Sequence, residues 1–258
     1  EEVIKAATVV EMVHVATLYH DDVMDEADRR RGVESANSRW NNSVAILAGD
    51  ALLAHASRLM SELDTHTVGH FADTFEELVT GQMRETIGAG EANAVEHYTA
   101  VIREKTAVLI ASAGYLGAYH SGAPAEHAAA LYRIGGAIGM IFQIVDDVID
   151  IFSDPKDSGK TPGTDLREGV FTLPVLYALE EEGEVGDKLR EFLTGPLHSD
   201  AEVERAIELL RQSGGRDKAL KDINAYLRTV EEQLAVLPEN AASQALRQLA
   251  DYTVRRVG

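Results

Sequence analysis

Six aspartates fall in two sets of the same form. HDDVMDEADRRRG carries Asp21, Asp22 and Asp25, and FQIVDDVIDIF carries Asp146, Asp147 and Asp150. Residues four apart on a helix lie about 40° apart around the axis and one turn up, so Asp21 and Asp25 share a face, as do Asp146 and Asp150. Like charges at that spacing destabilise a helix unless something neutralises them. The second set is flanked by Ile141, Phe142, Ile144, Val145, Val148 and Ile149, and carboxylates in so apolar a run are costly to bury unpaired. A single set could be a wet stripe on a helix; the repeat of the form argues for a site. Cations follow each set, Arg29, Arg30 and Arg31 after the first and Lys160 after the second. All-oxygen ligands suit magnesium, which binds through few carboxylates and completes its shell with water and substrate phosphates. Arginines and a lysine would then grip phosphate oxygens directly.

The elements that must position these groups read as helices. Apolar residues recur at spacings of three and four, as at Val9, Val10, Val13 and Leu18, or Leu131, Ile134, Ile138, Ile141 and Ile144. No succession of alternating strands and tight hairpins is visible, so the fold class is all-α. Breaks rich in Gly, Pro, Ser or Asp fall at 61–67, 88–93, 120–125, 154–163, 182–187, 195–200, 213–216 and 237–240. None is long enough for a linker, so 1–258 reads as a single domain. The two aspartate helices are expected to face each other across a cavity.

The 258 residues carry a formal charge of −19 and no cysteine. The charge argues against nucleic acid and anionic membranes as partners. The lack of thiols excludes disulfides and thiolate metal sites and fits the cytoplasm. No uninterrupted apolar run approaches the ~20 residues of a transmembrane segment.

The two motifs, the second extended as FQIVDDVIDIFSDPKDSGKTPGTDLREGVFTLP, together resemble the trans-isoprenyl diphosphate synthases, or polyprenyl synthetases. NNSVAILAGDALLA, GQMRET, REKTAVLIASAG and the tail LRQLADYTVRRV are similar to the family in order and spacing. The resemblance implies an isoprenoid-synthase-type helical bundle around a central cavity, as a homodimer. It implies joining of an allylic diphosphate, farnesyl or geranylgeranyl, to isopentenyl diphosphate. Three Mg2+ ions would hold the allylic diphosphate, its C–O bond would ionise, the isopentenyl double bond would attack, and a proton would leave. Metal and cations would stabilise the leaving group.

By matching position, the resemblance makes Asp21 and Asp25 magnesium ligands with Asp22 beside them. Asp146 would hold the remaining ion, with Asp147 and Asp150 close to it or reached through water. Arg30, Lys105 and Lys160 would hold the allylic diphosphate. Thr106 and Gln143 would flank the reacting carbon and its leaving oxygen, and Arg31 and His14 would bind isopentenyl diphosphate. Gln82 and Glu85 are expected behind these groups. The family's Gly-Lys-x-x-Arg-Pro-like segment is not found before Asp21, so the domain reads as one whose N-terminal part is missing.

Chain length in the family is limited by a bulky aromatic four or five residues before the first aspartate. Here those positions are Thr17 and Ala16, with Val13 and Met12 a turn further. The small side chains point to a product beyond twenty carbons, such as a quinone side chain; a geranylgeranyl diphosphate synthase is the alternative. A terpene cyclase would replace the second aspartate set. A non-catalytic subunit of a heteromeric synthase would lose its aspartates, and a binding protein would have no need of the lysines and arginines in register.

Overall fold

The computed structural model describes residues 1–153 and 162–257. In chain order the elements are α1 (Glu2–Met24), β1 (Arg29–Arg30), β2 (Val33–Glu34), α2 (Ala36–Arg39), α3 (Asn42–Met60), α4 (Thr65–Ile87), α5 (Ala94–Ile102), a π-helical turn (Arg103–Ala107), α6 (Val108–His120) and α7 (Ala125–Phe152). Then come α8 (Thr164–Glu168), α9 (Leu173–Leu179), α10 (Glu184–Phe192), α11 (Asp200–Gln212), α12 (Gly215–Leu234), α13 (Ala241–Val254) and a 3-10 turn (Arg255–Val257). The helical reading holds. The sequence reading did not foresee the small hairpin, in which Arg29 pairs with Glu34 and Arg30 with Val33.

The chain forms two compact units, Glu1–Glu76 with Ser112–Tyr132, and Glu77–Ala111 with Arg133–Gly258. In the first, α1 packs on α3 through small residues. Ala6, Val9, Val13 and Ala16 are buried on α1 at spacings of three and four, and His20 continues the series. Its ring meets α3, with Nε2 3.1 Å from the Ile46 carbonyl oxygen and 3.4 Å from the Asp50 carboxylate. Gly49 makes this possible, since a Cβ there would overlap the His20 ring. Asn41 caps α3, its side chain accepting from the Val44 N–H at 2.9 Å. At the start of α4, Asp64 accepts from the Thr67 N–H at 2.7 Å and from the Tyr119 hydroxyl at 2.8 Å. These bonds hold its carboxyl down at about 2.

The second unit has an apolar core in which Ile151, Leu166, Val175, Leu189, Val203 and Leu210 are buried together. Two devices fix its helix starts. Pro174 sits in the first turn of α9, and Ser199 and Glu202 form a capping box on α11. Two helices, α3 and α7, are long and apolar enough to cross a membrane by length and composition, although each contains polar residues that interrupt any apolar run. The α7 window is 61% buried in the protein and the α3 window 17%, which marks α7 as a core helix.

Candidate active site

In the first unit the acidic set lies at the C-terminal end of α1. Asp22 is buried at 3% exposure. Its Oδ1 accepts from Nε and Nη2 of Arg30, each at 2.7 Å. Asn37 donates to the carbonyls of Asp22 and Ala27, both at 3.1 Å, and satisfies backbone where α1 ends. The hairpin that carries Arg30 turns through Arg31 at φ 50° and Gly32 at φ 81°. Two successive positive φ values suit the two-residue turn of a tight hairpin, and a non-glycine residue pays steric strain there. Arg31 is thereby presented on the exposed tip.

Helical geometry places His14 about 20° and Asp25 about 40° to one side of Asp21 around α1, and Thr17 about 40° to the other side. His14, Thr17, Asp21 and Asp25 therefore share a face, distinct from the seam packed on α3. All but Asp25, which is exposed, are half-buried. The Thr17 hydroxyl donates to the His14 carbonyl at 2.9 Å. This geometry divides the four chain-length positions. Ala16 and Val13, at 0% and 1% exposure, belong to the α3 seam. Thr17 lies on the aspartate face, and Met12 is half-buried.

In the second unit the acidic set lies at the C-terminal end of α7. Asp146 is partly exposed, with Arg256 3.7 Å away. Asp147 is buried at 2% exposure. Its Oδ2 accepts from the Tyr98 hydroxyl at 2.7 Å and its Oδ1 from Gln143 Nε2 at 3.2 Å. Burial pushes the Asp147 carboxyl up to about 7, against the pull of those two donors. Burial and the neighbouring carboxylate raise the Tyr98 phenol well above its ordinary value. Asp150 is also buried, and its carboxylate accepts from the Thr164 and Asp165 N–H groups at 3.1 and 3.3 Å. It thus closes the N-terminal turn of α8, where a negative charge is favoured.

Thr106 and Gln143 meet, the Thr106 hydroxyl donating to Gln143 Oε1 at 3.4 Å. Thr106 and Lys105 stand on the π-helical turn. Such a turn squeezes one extra residue into a helix and recurs at functional sites. Here glycines admit it. A Cβ at Gly81 of α4 would fall 2.6 Å from the Lys105 nitrogen, and one at Gly139 of α7 2.6 Å from the Ala107 Cα. Arg84 clamps Glu104 with two bonds of 2.8 and 3.1 Å. Glu85 pairs with the Lys105 ammonium, and Gln82 keeps a buried amide oxygen without a hydrogen-bond partner. Lys160 lies outside the described residues.

Both acidic sets occupy the negative ends of helix dipoles, where carboxylates are disfavoured and cations welcome. Among the described residues no three acidic or histidine groups form a metal-binding cluster. A hard ion such as magnesium takes one or two carboxylates and otherwise water and phosphate oxygens. Sequence reasoning missed Tyr98, Asn37 and the packing role of His20. Tyr98 belongs to no charged motif and is 49 residues from Asp147 in sequence. His20 stood inside the quoted motif, and its fit to Gly49 was the available signal.

The family model for polyprenyl synthetase matches residues 1–210. A nonaprenyl diphosphate synthase of Mycobacterium tuberculosis is 54% identical over 254 residues, covering 98% of this chain and 76% of the relative. The crystal structure of a geranylgeranyl pyrophosphate synthase from Corynebacterium glutamicum, complexed with calcium and isoprenyl diphosphate, superposes with a TM-score of 0.92 at 64% identity, covering 100% of this chain and 79% of that one. A decaprenyl diphosphate synthase structure from Rhodobacter capsulatus gives 0.89 at 34% identity, covering 99% and 79%.

Proposed function

This chain belongs to the polyprenyl synthetase family and is a prenyltransferase, and from that premise we propose that it extends farnesyl or geranylgeranyl diphosphate with isopentenyl diphosphate to a long-chain all-trans polyprenyl diphosphate. One observation carries the reading: two acidic sets at helix C-termini, each with its second aspartate buried and engaged and its first more open. Asp21 and Asp25 of one set and Asp146 of the other are the magnesium ligands, three ions being the number the family implies. Magnesium held by these carboxylates would neutralise the diphosphate and supply stabilisation of the charge that develops on it as the C–O bond breaks. Asp22 holds Arg30 in place rather than contacting metal, and Asp147 and Asp150 act as braces.

Arg30, Lys105 and Lys160 hold the allylic diphosphate oxygens. Lys105 would exchange its Glu85 partner for phosphate. Arg31 and His14 take the isopentenyl diphosphate. Gln143 and Thr106 direct polar oxygens at the reacting carbon, where positive charge develops. The new C–C bond forms as the isopentenyl π electrons attack, and the proton lost from the adjacent carbon leaves with pyrophosphate. The lack of thiols supports a cytoplasmic setting, and the exposed apolar side chains Val44 and Leu47 on α3 are consistent with a homodimer.

The relatives named for nonaprenyl and decaprenyl products and the small Thr17 support a product beyond twenty carbons. The 64% identity with a protein named for geranylgeranyl pyrophosphate favours a second reading, a C20 product. Incubation with magnesium, labelled isopentenyl diphosphate and farnesyl diphosphate, followed by sizing of the product, separates the two. Chelation of the metal should abolish product in either case.

A further inference from the structure

The buried carboxylate Asp147 has a neutral partner that the reaction as described does not use. Tyr98, on α5, donates a hydrogen bond from its hydroxyl to Asp147 Oδ2 at 2.7 Å. The other carboxylate oxygen takes Gln143 Nε2 at 3.2 Å, and the far side of that amide, Oε1, receives the Thr106 hydroxyl at 3.4 Å. Four side chains thus form one directed chain of hydrogen bonds, all within the second unit.

The direction follows from chemistry. The ionised Asp147 carboxylate only accepts, and the Tyr98 hydroxyl and Gln143 Nε2 that face it both donate, whereas an amide has one donating and one accepting end. A Gln143 turned the other way would set its oxygen against the Asp147 oxygen. Asp147 therefore selects the orientation in which the amide oxygen points to Thr106. In turn, the torsion of the Asp147 carboxylate group has a broad rotational well. Gln143, four residues back on the same helix face, restrains only one of its oxygens, and Tyr98, arriving from another helix, restrains the second. We propose that Tyr98 is a positioning residue that acts through Asp147 to hold the Gln143 amide oxygen toward the reacting carbon. The proposal rests on the prenyl-transfer reading, which puts Gln143 beside that carbon. A carbonyl dipole aimed in advance at developing positive charge lowers the barrier without reorganisation. A misaimed dipole does not, even though both substrates still bind.

The test is a double-mutant cycle on the full chain with Tyr98→Phe and Gln143→Ala, assayed at steady state with magnesium, farnesyl diphosphate and isopentenyl diphosphate. Tyr98→Phe alone should lower kcat roughly tenfold, the scale of one hydrogen bond to a charged group, with both KM values within about twofold. In the Gln143→Ala background, where no amide is left to aim, the same change should lower kcat less than about twofold. Manganese affinity, read by electron paramagnetic resonance without turnover, should be unchanged. An equal loss of kcat in both backgrounds would assign Tyr98 to general packing and overturn the proposal. So would unchanged kcat in the single variant, or weakened manganese binding. If Tyr98→Phe does not fold, 3-fluorotyrosine at position 98 keeps the ring and the donor while altering the donor's strength. It must then change kcat with the melting temperature held, and an unchanged kcat would overturn the proposal. A wild-type chain that extends no allylic primer contradicts the prenyl-transfer reading, and this claim falls with it; an active wild type with an additive cycle overturns Tyr98 alone.

Discussion

At the scale of single residues, the proposed reaction has adjacent aspartates divide the labour. Asp22 and Asp147 are buried and held by donors, while Asp21 and Asp146 beside them are more open. Replacing a ligand and replacing a brace should therefore differ in kind. Asp146→Asn is expected to lower kcat/KM roughly a hundredfold and to raise the magnesium concentration needed for half-maximal rate. Asp22→Asn removes the charge that Arg30 pairs with. It should raise the KM for the allylic diphosphate and lower the melting temperature, with a smaller shift in magnesium dependence. Steady-state kinetics over a magnesium titration distinguish the two. The aspartates were legible in the sequence because charge repeated at helical spacing in an apolar context has few structural uses. Their division was not, because it depends on which helix face meets Arg30 or Tyr98. The partners lie 8 and 49 residues away, and no local pattern records them.

At the scale of elements, the two faces of α1 and the π-helical turn make three predictions. Ala16 has no accessible surface, so Ala16→Phe should overpack the buried face of α1 and cost about 1–3 kcal/mol of stability in denaturant unfolding. Thr17→Phe, on the aspartate face, should shorten the product while leaving the unfolding midpoint nearly unchanged. Gly139→Ala drives a methyl into the Ala107 backbone. It should displace Thr106 and Lys105 and lower kcat by at least about tenfold, the sensitivity expected of catalytic groups moved by an ångström. A fourth prediction concerns pH. Asp64 titrates in the folded chain at about 2, below its unfolded value of ~3.9. Its contribution is complete above the unfolded value and fades as pH falls through about 2. Denaturant midpoints should drop between pH 4 and 2 in the wild type, and less so in Asp64→Asn. The helices and most of their breaks were readable from apolar spacing and from Gly, Pro, Ser and Asp. The hairpin was not, because two-residue strands cannot show alternation and Arg-Gly is an unusual turn pair. REKTA has the composition of any α-helix, so its π geometry, admitted by glycines on α4 and α7, left no mark in its own residues.

At the scale of the whole molecule, a chain of charge −19 acts on substrates that are themselves anions. Long-range attraction does not bring them in; cations gathered by the acidic sets, with the local arginines and lysines, would offset that repulsion. The ordered set of motifs made the family legible because the same chemistry needs each of them at its place. Product length was less legible, since it depends on the volume left by several helices and only α1 carries a recognisable marker. The most direct test is extension of farnesyl diphosphate with labelled isopentenyl diphosphate by the wild-type protein, with and without magnesium, the products being sized after removal of the diphosphate. Magnesium-dependent products longer than twenty carbons are predicted. Absence of any extended product with metal present would contradict the account, and a product that stops at twenty carbons would contradict its claim about Thr17.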